Sequence, residues 1–182
     1  MKELTRDEYI SEIEYCYNNS RWEFSFYAVL YLFFCQFRSE QIKLVHCADW
    51  KSRGKNTSQS MSKNLEKCST EFIDKDGKKC IGGIPDFQFV SSEYKYGEPC
   101  DAKVFVEFKK PSYSNEGVYK PLKYEIISEI QHEFENCDKI IFTDGISWYF
   151  LKKDKEEKKA PINLYVDNNW EQLKIQIAKF IS

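Results

Sequence analysis

Apolar residues recur at helical spacing at both ends of the chain and at strand spacing between them. Near the start, Ile10, Ile13 and Tyr17 share one helical face, and residues 24–35 are apolar on most faces, which predicts two helices with the second central to the core. Each helix opens on a capping-box pattern, Thr5 with Glu8 and Ser20 with Glu23, so the second is expected from 22 to about 37. Residues 51–64 lack periodicity and read as a long loop. Residues 69–74, a turn at Asp76-Gly77 and residues 80–90 then predict a hairpin whose second arm is interrupted by Gly82-Gly83 and Pro85. A third strand covers 102–109. Pro121 opens a helix in which Leu122, Ile126, Ile130 and Phe134 recur every four residues. A second hairpin follows over 139–143 and 147–152 around Asp144-Gly145, then a short strand at 162–166. A last helix from about Asn168 buries Trp170, Leu173, Ile177 and Ile181. This order predicts an α/β (α+β) fold with a mixed central sheet flanked by helices.

At 182 residues the chain suits one domain, 1–182, and its 42% hydrophobic content, with 14 Phe, 12 Tyr and 4 Trp, excludes a disordered or fibrous polymer. The 27 basic and 29 acidic residues nearly cancel, so a polyanion must be met by a local patch instead of a global field. No apolar run approaches the roughly 18 residues of a membrane span, and the acidic start around Glu3, Asp7 and Glu8 lacks the order of a signal peptide. The seven cysteines form no CxxC pair and read as free thiols of a reducing, cytoplasmic compartment. The lysine- and glutamate-rich stretch 152–159 is a solvated loop.

The informative segment is Gly83-Ile84-Pro85-Asp86-Phe87, followed by Glu107-Phe108-Lys109 inside an apolar strand. Alternation along that strand puts Phe105, Glu107 and Lys109 on one face and Val104, Val106 and Phe108 on the other. If the second set faces the core, an acid and an ammonium stand together on a rigid element. Asp86, from the neighbouring strand, can complete a group of two carboxylates and one ammonium. Close carboxylates repel, and a hard divalent cation such as Mg²⁺ relieves the repulsion while keeping waters for chemistry. The plainer alternative is an exposed Glu107–Lys109 pair with Asp86 as a turn residue.

Pro85-Asp86 with Glu107-Phe108-Lys109 resembles the PD-(D/E)xK nuclease superfamily. Residues 140–150, with Thr143-Asp144-Gly145 and Trp148, are similar to the hairpin after the nuclease core in the N-terminal domain of type I restriction endonuclease R subunits, although Asp144 stands where Asn is usual. The resemblance implies a restriction-endonuclease-like core over about 20–152, with a closing strand and helix over 160–181. It implies a Mg²⁺- or Mn²⁺-dependent endonuclease hydrolysing phosphodiester bonds, in DNA ahead of RNA, as part of a restriction or defence system with a protein partner for targeting. Asp86, Glu107 and the backbone carbonyl of Phe108 would hold the metal, and Lys109 would orient or help deprotonate the attacking water. Glu23 on the helix before the sheet is the candidate for a further acid, ahead of Glu12 and Glu14, and Gln131 for the glutamine that relatives place after the Glu-x-Lys strand.

For binding nucleic acid, Lys51, Arg53, Lys55, Lys63 and Lys67 oppose a lone Glu66, and Lys109, Lys110, Lys120 and Lys123 form a second patch. Tyr113 and Tyr119 are candidates for stacking on bases. The rival from another class is a non-catalytic module that binds nucleic acid or protein on a nuclease-like fold. His46, Cys47, Cys68 and Cys80 lack the close ligand spacing of a zinc site.

Overall fold

The computed structural model describes residues 3–20, 22–47, 70–73, 79–82, 85–94, 102–123, 134, 137–153 and 160–182. Helix α1 (Arg6–Asn19) begins at the expected capping box. Thr5 Oγ1 accepts from the Glu8 amide at 3.2 Å, and Glu8 Oε2 accepts from the Thr5 amide at 2.9 Å. Helix α2 (Phe24–Phe34) departs from expectation, because no side chain caps its start. Ser20 instead ends α1, its amide donating to the Cys16 carbonyl at 2.9 Å, and its hydroxyl is taken by the Trp22 amide at 3.2 Å and by Ser25 Oγ rather than by an amide of the first turn of α2. A single 3₁₀ turn, Cys35–Phe37, extends α2. The helix is central without being enclosed, since Phe26, Leu30, Phe33 and Phe34 are buried while Phe24, Tyr31 and Leu32 reach the surface.

The principal sheet runs β1 (Ile42–His46), β4 (Phe87–Ser91), β5 (Ala102–Phe108), β8 (Lys139–Thr143), β9 (Ser147–Lys152) and β10 (Ile162–Asn163) in spatial order. All its pairings are antiparallel except β5–β8, so the sheet is mixed. The expected first hairpin forms as β2 (Thr70–Ile73) and β3 (Lys79–Gly82), a sheet of its own. Its second arm does not run on to Val90: the chain breaks before Pro85, which has no amide to give a ladder, and resumes as β4 between β1 and β5. Strand β1 has no counterpart in the sequence reading, because its five residues bury only Leu44. A small hairpin, β6 (Ser112–Tyr113) with β7 (Tyr119–Lys120), follows the central strand.

Two further expectations fall differently, and the last helix is as expected. Residues 121–123 are not helical, and 124–133 lie outside the described residues. Strand β10 is shorter than 162–166 because Asn163 turns the chain, its Oδ1 accepting from the Tyr165 amide and its carbonyl from the Val166 amide. Helix α3 (Asn169–Ile181) buries the expected residues and Phe180 as well. Among the described residues, Cys16, Cys35, Cys47 and Cys137 are free thiols, and no helix is long and apolar enough to cross a membrane.

Alternation sorts the sheet into two cores. Phe87, Phe89, Val104, Val106, Phe108, Ile141 and Trp148 pack against α1, α2 and α3. Their neighbours Phe105, Ile140, Phe142, Tyr149 and Leu151 pack on the other face with Leu122 and Cys137. Rings carry the first core: Phe33 and Phe34 of α2 meet Trp148 at 5.6 and 5.8 Å between centroids.

The β8–β9 turn explains its own residue types. Gly145 has φ +87°, a backbone conformation that favours glycine, and a Cβ there would stand 3.0 Å from Ile13 Cδ1, which would have to give by a few tenths of an ångström. Thr143 Oγ1 donates to the Ser147 carbonyl and accepts from the Gly145 amide, both at 2.9 Å. Asp144 Oδ1 accepts from the amides of Ile146 and Ser147 at 3.0 and 2.7 Å, and Oδ2 accepts from the Tyr119 hydroxyl at 2.6 Å. Even with these donors, burial raises the Asp144 carboxyl to about 6 from 3.8. The folded state therefore holds that proton more tightly than the unfolded chain, and this group's contribution to stability declines as pH rises from 3.8 to about 6. Asp144→Asn removes the titration while keeping an oxygen for the two backbone amides. Urea unfolding of both proteins should show the variant gaining on the parent between about pH 4 and 6 and holding that gain above it; parallel stability profiles would refute this.

Candidate active site

Asp86 follows buried Pro85 at the entrance to β4 and is 1% exposed. Its amide donates to the Val106 carbonyl at 3.0 Å, and its carbonyl accepts from the Cys47 amide at 2.8 Å, so β5 and the end of β1 hold its backbone. Its two carboxylate oxygens are held separately. Oδ2 accepts from the Phe108 amide at 2.7 Å, and Oδ1 accepts from the Tyr27 hydroxyl of α2 at 2.8 Å. The Phe108 amide belongs to the peptide that joins it to Glu107. The carboxylate of Asp86 therefore lies against the backbone of the Glu107-Phe108-Lys109 segment.

Glu107 is buried at 6% exposure, and Lys109 Nζ stands 3.7 Å from its Oε1. This excludes the plain surface-pair reading, in which both would be solvated. The ladder fixes the lysine's backbone too: β8 lies parallel to β5, and the Lys109 amide donates to the Thr143 carbonyl at 2.9 Å. Electrostatics report the same convergence. Burial first, then the Asp86 carboxylate and its hydrogen bond, then Glu23 and Glu107, hold the Tyr27 phenol well above its ordinary range. Asp86, Glu23 and Glu107 thus all lie within electrostatic reach of one buried hydroxyl. Glu23 is exposed, one turn ahead of Tyr27 at the start of α2.

The other predicted residues scatter. Gln131, Lys51, Arg53 and Lys55 lie outside the described residues, as do Lys63 and Lys67. Lys110 places Nζ 5.3 Å from the centre of the Tyr17 ring, and Lys120 is exposed on β7. Tyr113 and Tyr119 pack on other tyrosines of the protein, tilted or edge-on. Tyr17–Tyr113, Tyr113–Tyr119 and Tyr119–Tyr165 centroids are 4.3, 5.6 and 5.3 Å apart, and the Tyr119 hydroxyl is turned to Asp144 and Ser147. Glu14 accepts from the Tyr165 hydroxyl at 2.7 Å, which ties α1 to the turn after β10.

Sequence reading missed Tyr27. The available signal was its spacing: four residues after Glu23 on a helix, it shares that acid's face. It also missed the end of β1, whose Cys47 amide anchors Asp86.

The donor chemistry suits a hard cation, since two buried carboxylates on adjoining strands match the one or two carboxylates, completed by waters, that Mg²⁺ takes. Among the described residues, no group of three or more His, Cys, Asp and Glu side chains is gathered to hold a metal ion.

No protein-family model matches the chain, and no curated protein matches it. Among solved structures, it is similar to a chain in a DrdV–DNA complex determined by cryo-electron microscopy, with a TM-score of 0.50 and 13% sequence identity over 97% of this chain. The match spans 13% of that chain's length. The likeness is one of fold: the six-stranded mixed sheet flanked by helices is consistent with a restriction-endonuclease-like α+β fold.

Phe108 links the site to the core, being 1% exposed and packed on Phe26 and Tyr27 of α2 at 5.3 and 6.1 Å between centroids. Truncating it leaves a void under the helix, so Phe108→Ala should cost about 3–5 kcal/mol in chemical unfolding. A loss below about 1 kcal/mol would mean that α2 does not depend on this contact.

Proposed function

We propose that the chain is a metal-dependent phosphodiesterase acting on nucleic acid, DNA ahead of RNA, built as one nuclease-like domain. The observation that carries this reading is the placement of Asp86 against the Glu107-Phe108-Lys109 backbone, with both carboxylates buried and the lysine beside the second. Asp86 and Glu107, with the Phe108 carbonyl, would hold Mg²⁺ or Mn²⁺, and Glu23 would add a charge from α2. Such an ion lowers the pKa of a bound water and offsets charge that develops on the phosphoryl oxygens. Lys109 orients the attacking water, and its charge faces the phosphate. Lys110 and Lys120, with Lys51, Arg53 and Lys55, supply backbone contacts that add affinity without reading sequence. The DNA in the DrdV complex supports DNA as the polyanion. A restriction or defence setting, with a partner protein choosing the target, is the biological form this reading takes.

The test pairs binding with cleavage. Mn²⁺ should raise the melting temperature of the wild type and support cutting of plasmid or single-stranded DNA, whereas Asp86→Ala and Glu107→Gln should abolish the rise and slow cutting by more than about 10³-fold. Wild-type protein that binds DNA at low salt but cuts in neither metal would establish the non-catalytic binding module instead.

A further inference from the structure

We propose that Tyr27 is a positioning residue for the acid pair: its hydroxyl, reaching from α2, fixes the plane of the Asp86 carboxylate and so sets where that group can take a cation. The role of the cation rests on the metal-dependent reading above; the positioning itself rests on the hydrogen bonds.

The Phe108 amide donates to Oδ2 at 2.7 Å, and a donor on one oxygen restrains the last torsion of a carboxylate only weakly. The Tyr27 hydroxyl donates to Oδ1 at 2.8 Å from a different element, and a donor on each oxygen holds the plane of the group. The donor is itself held. The Tyr27 ring meets Phe24, His46 and Phe87 edge-on at 5.4, 5.2 and 5.6 Å between centroids. Packing alone would be served by phenylalanine, which α2 uses at 24, 26, 33 and 34. What distinguishes position 27 is its hydroxyl.

A neutral donor is also the right kind of group for this place. The Tyr27 hydroxyl is an uncharged donor placed 2.8 Å from Asp86 Oδ1. A lysine or arginine there would bring a tethered cation to the acids and compete with a mobile one. The phenol satisfies a buried carboxylate without neutralising it.

Tyr27→Phe removes the hydroxyl oxygen and leaves the ring. Without metal, the Phe108 amide reports on the Asp86 carboxylate. Its hydrogen exchange should quicken about tenfold and its nitrogen resonance should move, with the Val104 and Val106 amides of the same strand unchanged. With metal, calorimetric titration of Mn²⁺ should show affinity about tenfold below wild type, at a melting temperature within a few degrees of it. An unaltered Phe108 amide, or a variant that binds Mn²⁺ as tightly as a metal-binding wild type, overturns the proposal. If the wild type binds no Mn²⁺ while the variant still frees the Phe108 amide, the metal-dependent reading fails and the positioning role stands.

Discussion

A carboxylate withdrawn from water must be met by donors or lose its charge, and the arrangement at the entrance to β4 follows from how Asp86 meets that demand. Hydrogen bonds reach this residue from β5, from the end of β1 and from α2, on its backbone and on both carboxylate oxygens. Each comes from a part of the chain distant in sequence. The tertiary fold thus holds the acid, through groups that the sheet and α2 bring to it.

The same dependence runs outward into the core. Helix α2 can offer a hydroxyl to Asp86 because its rings are seated on Phe87, Phe108 and Trp148, and those residues face it because of the alternation along β4, β5 and β9. On the far side of β5, the parallel pairing with β8 fixes Lys109 through the Thr143 carbonyl, and Thr143 also closes the turn that contains Asp144. Tyr119 then ties the β6–β7 hairpin to that turn. Packing, turn chemistry and candidate site are thus one connected set of contacts.

The fold likeness to the DrdV chain carries the architecture and no further, since a shared scaffold hosts unrelated chemistries. What is specific to this chain lies in its residues: a buried acid doubly held, a second acid beside a lysine, and a row of tyrosines in which Tyr113, Tyr119 and Tyr165 have their hydroxyls engaged. The tyrosines are instructive because their composition suggests stacking on bases, yet they pack on one another and tie α1 to the β6–β7 hairpin and the turn after β10.

Much was legible without coordinates. The capping box at Thr5, the β8–β9 hairpin, the buried face of α3 and the two faces of β5 are local patterns, each set by contacts a few residues apart or by simple periodicity. The pairing of Asp86 with the Glu107 segment was legible too, through the Pro-Asp and Glu-x-Lys pattern. Tertiary structure alone decided the rest. Ser20 fits a capping box equally well on paper, but the end of α1 claims it first; β1 buries one residue and leaves no period to read; the strand after Pro85 could have continued its hairpin and instead joined the sheet. Tyr27 looks like one more aromatic of an apolar helix until the fold sets it opposite a carboxylate 59 positions away. Local sequence encodes what neighbours along the chain can satisfy, whereas a buried charge is satisfied only by groups that folding brings to it.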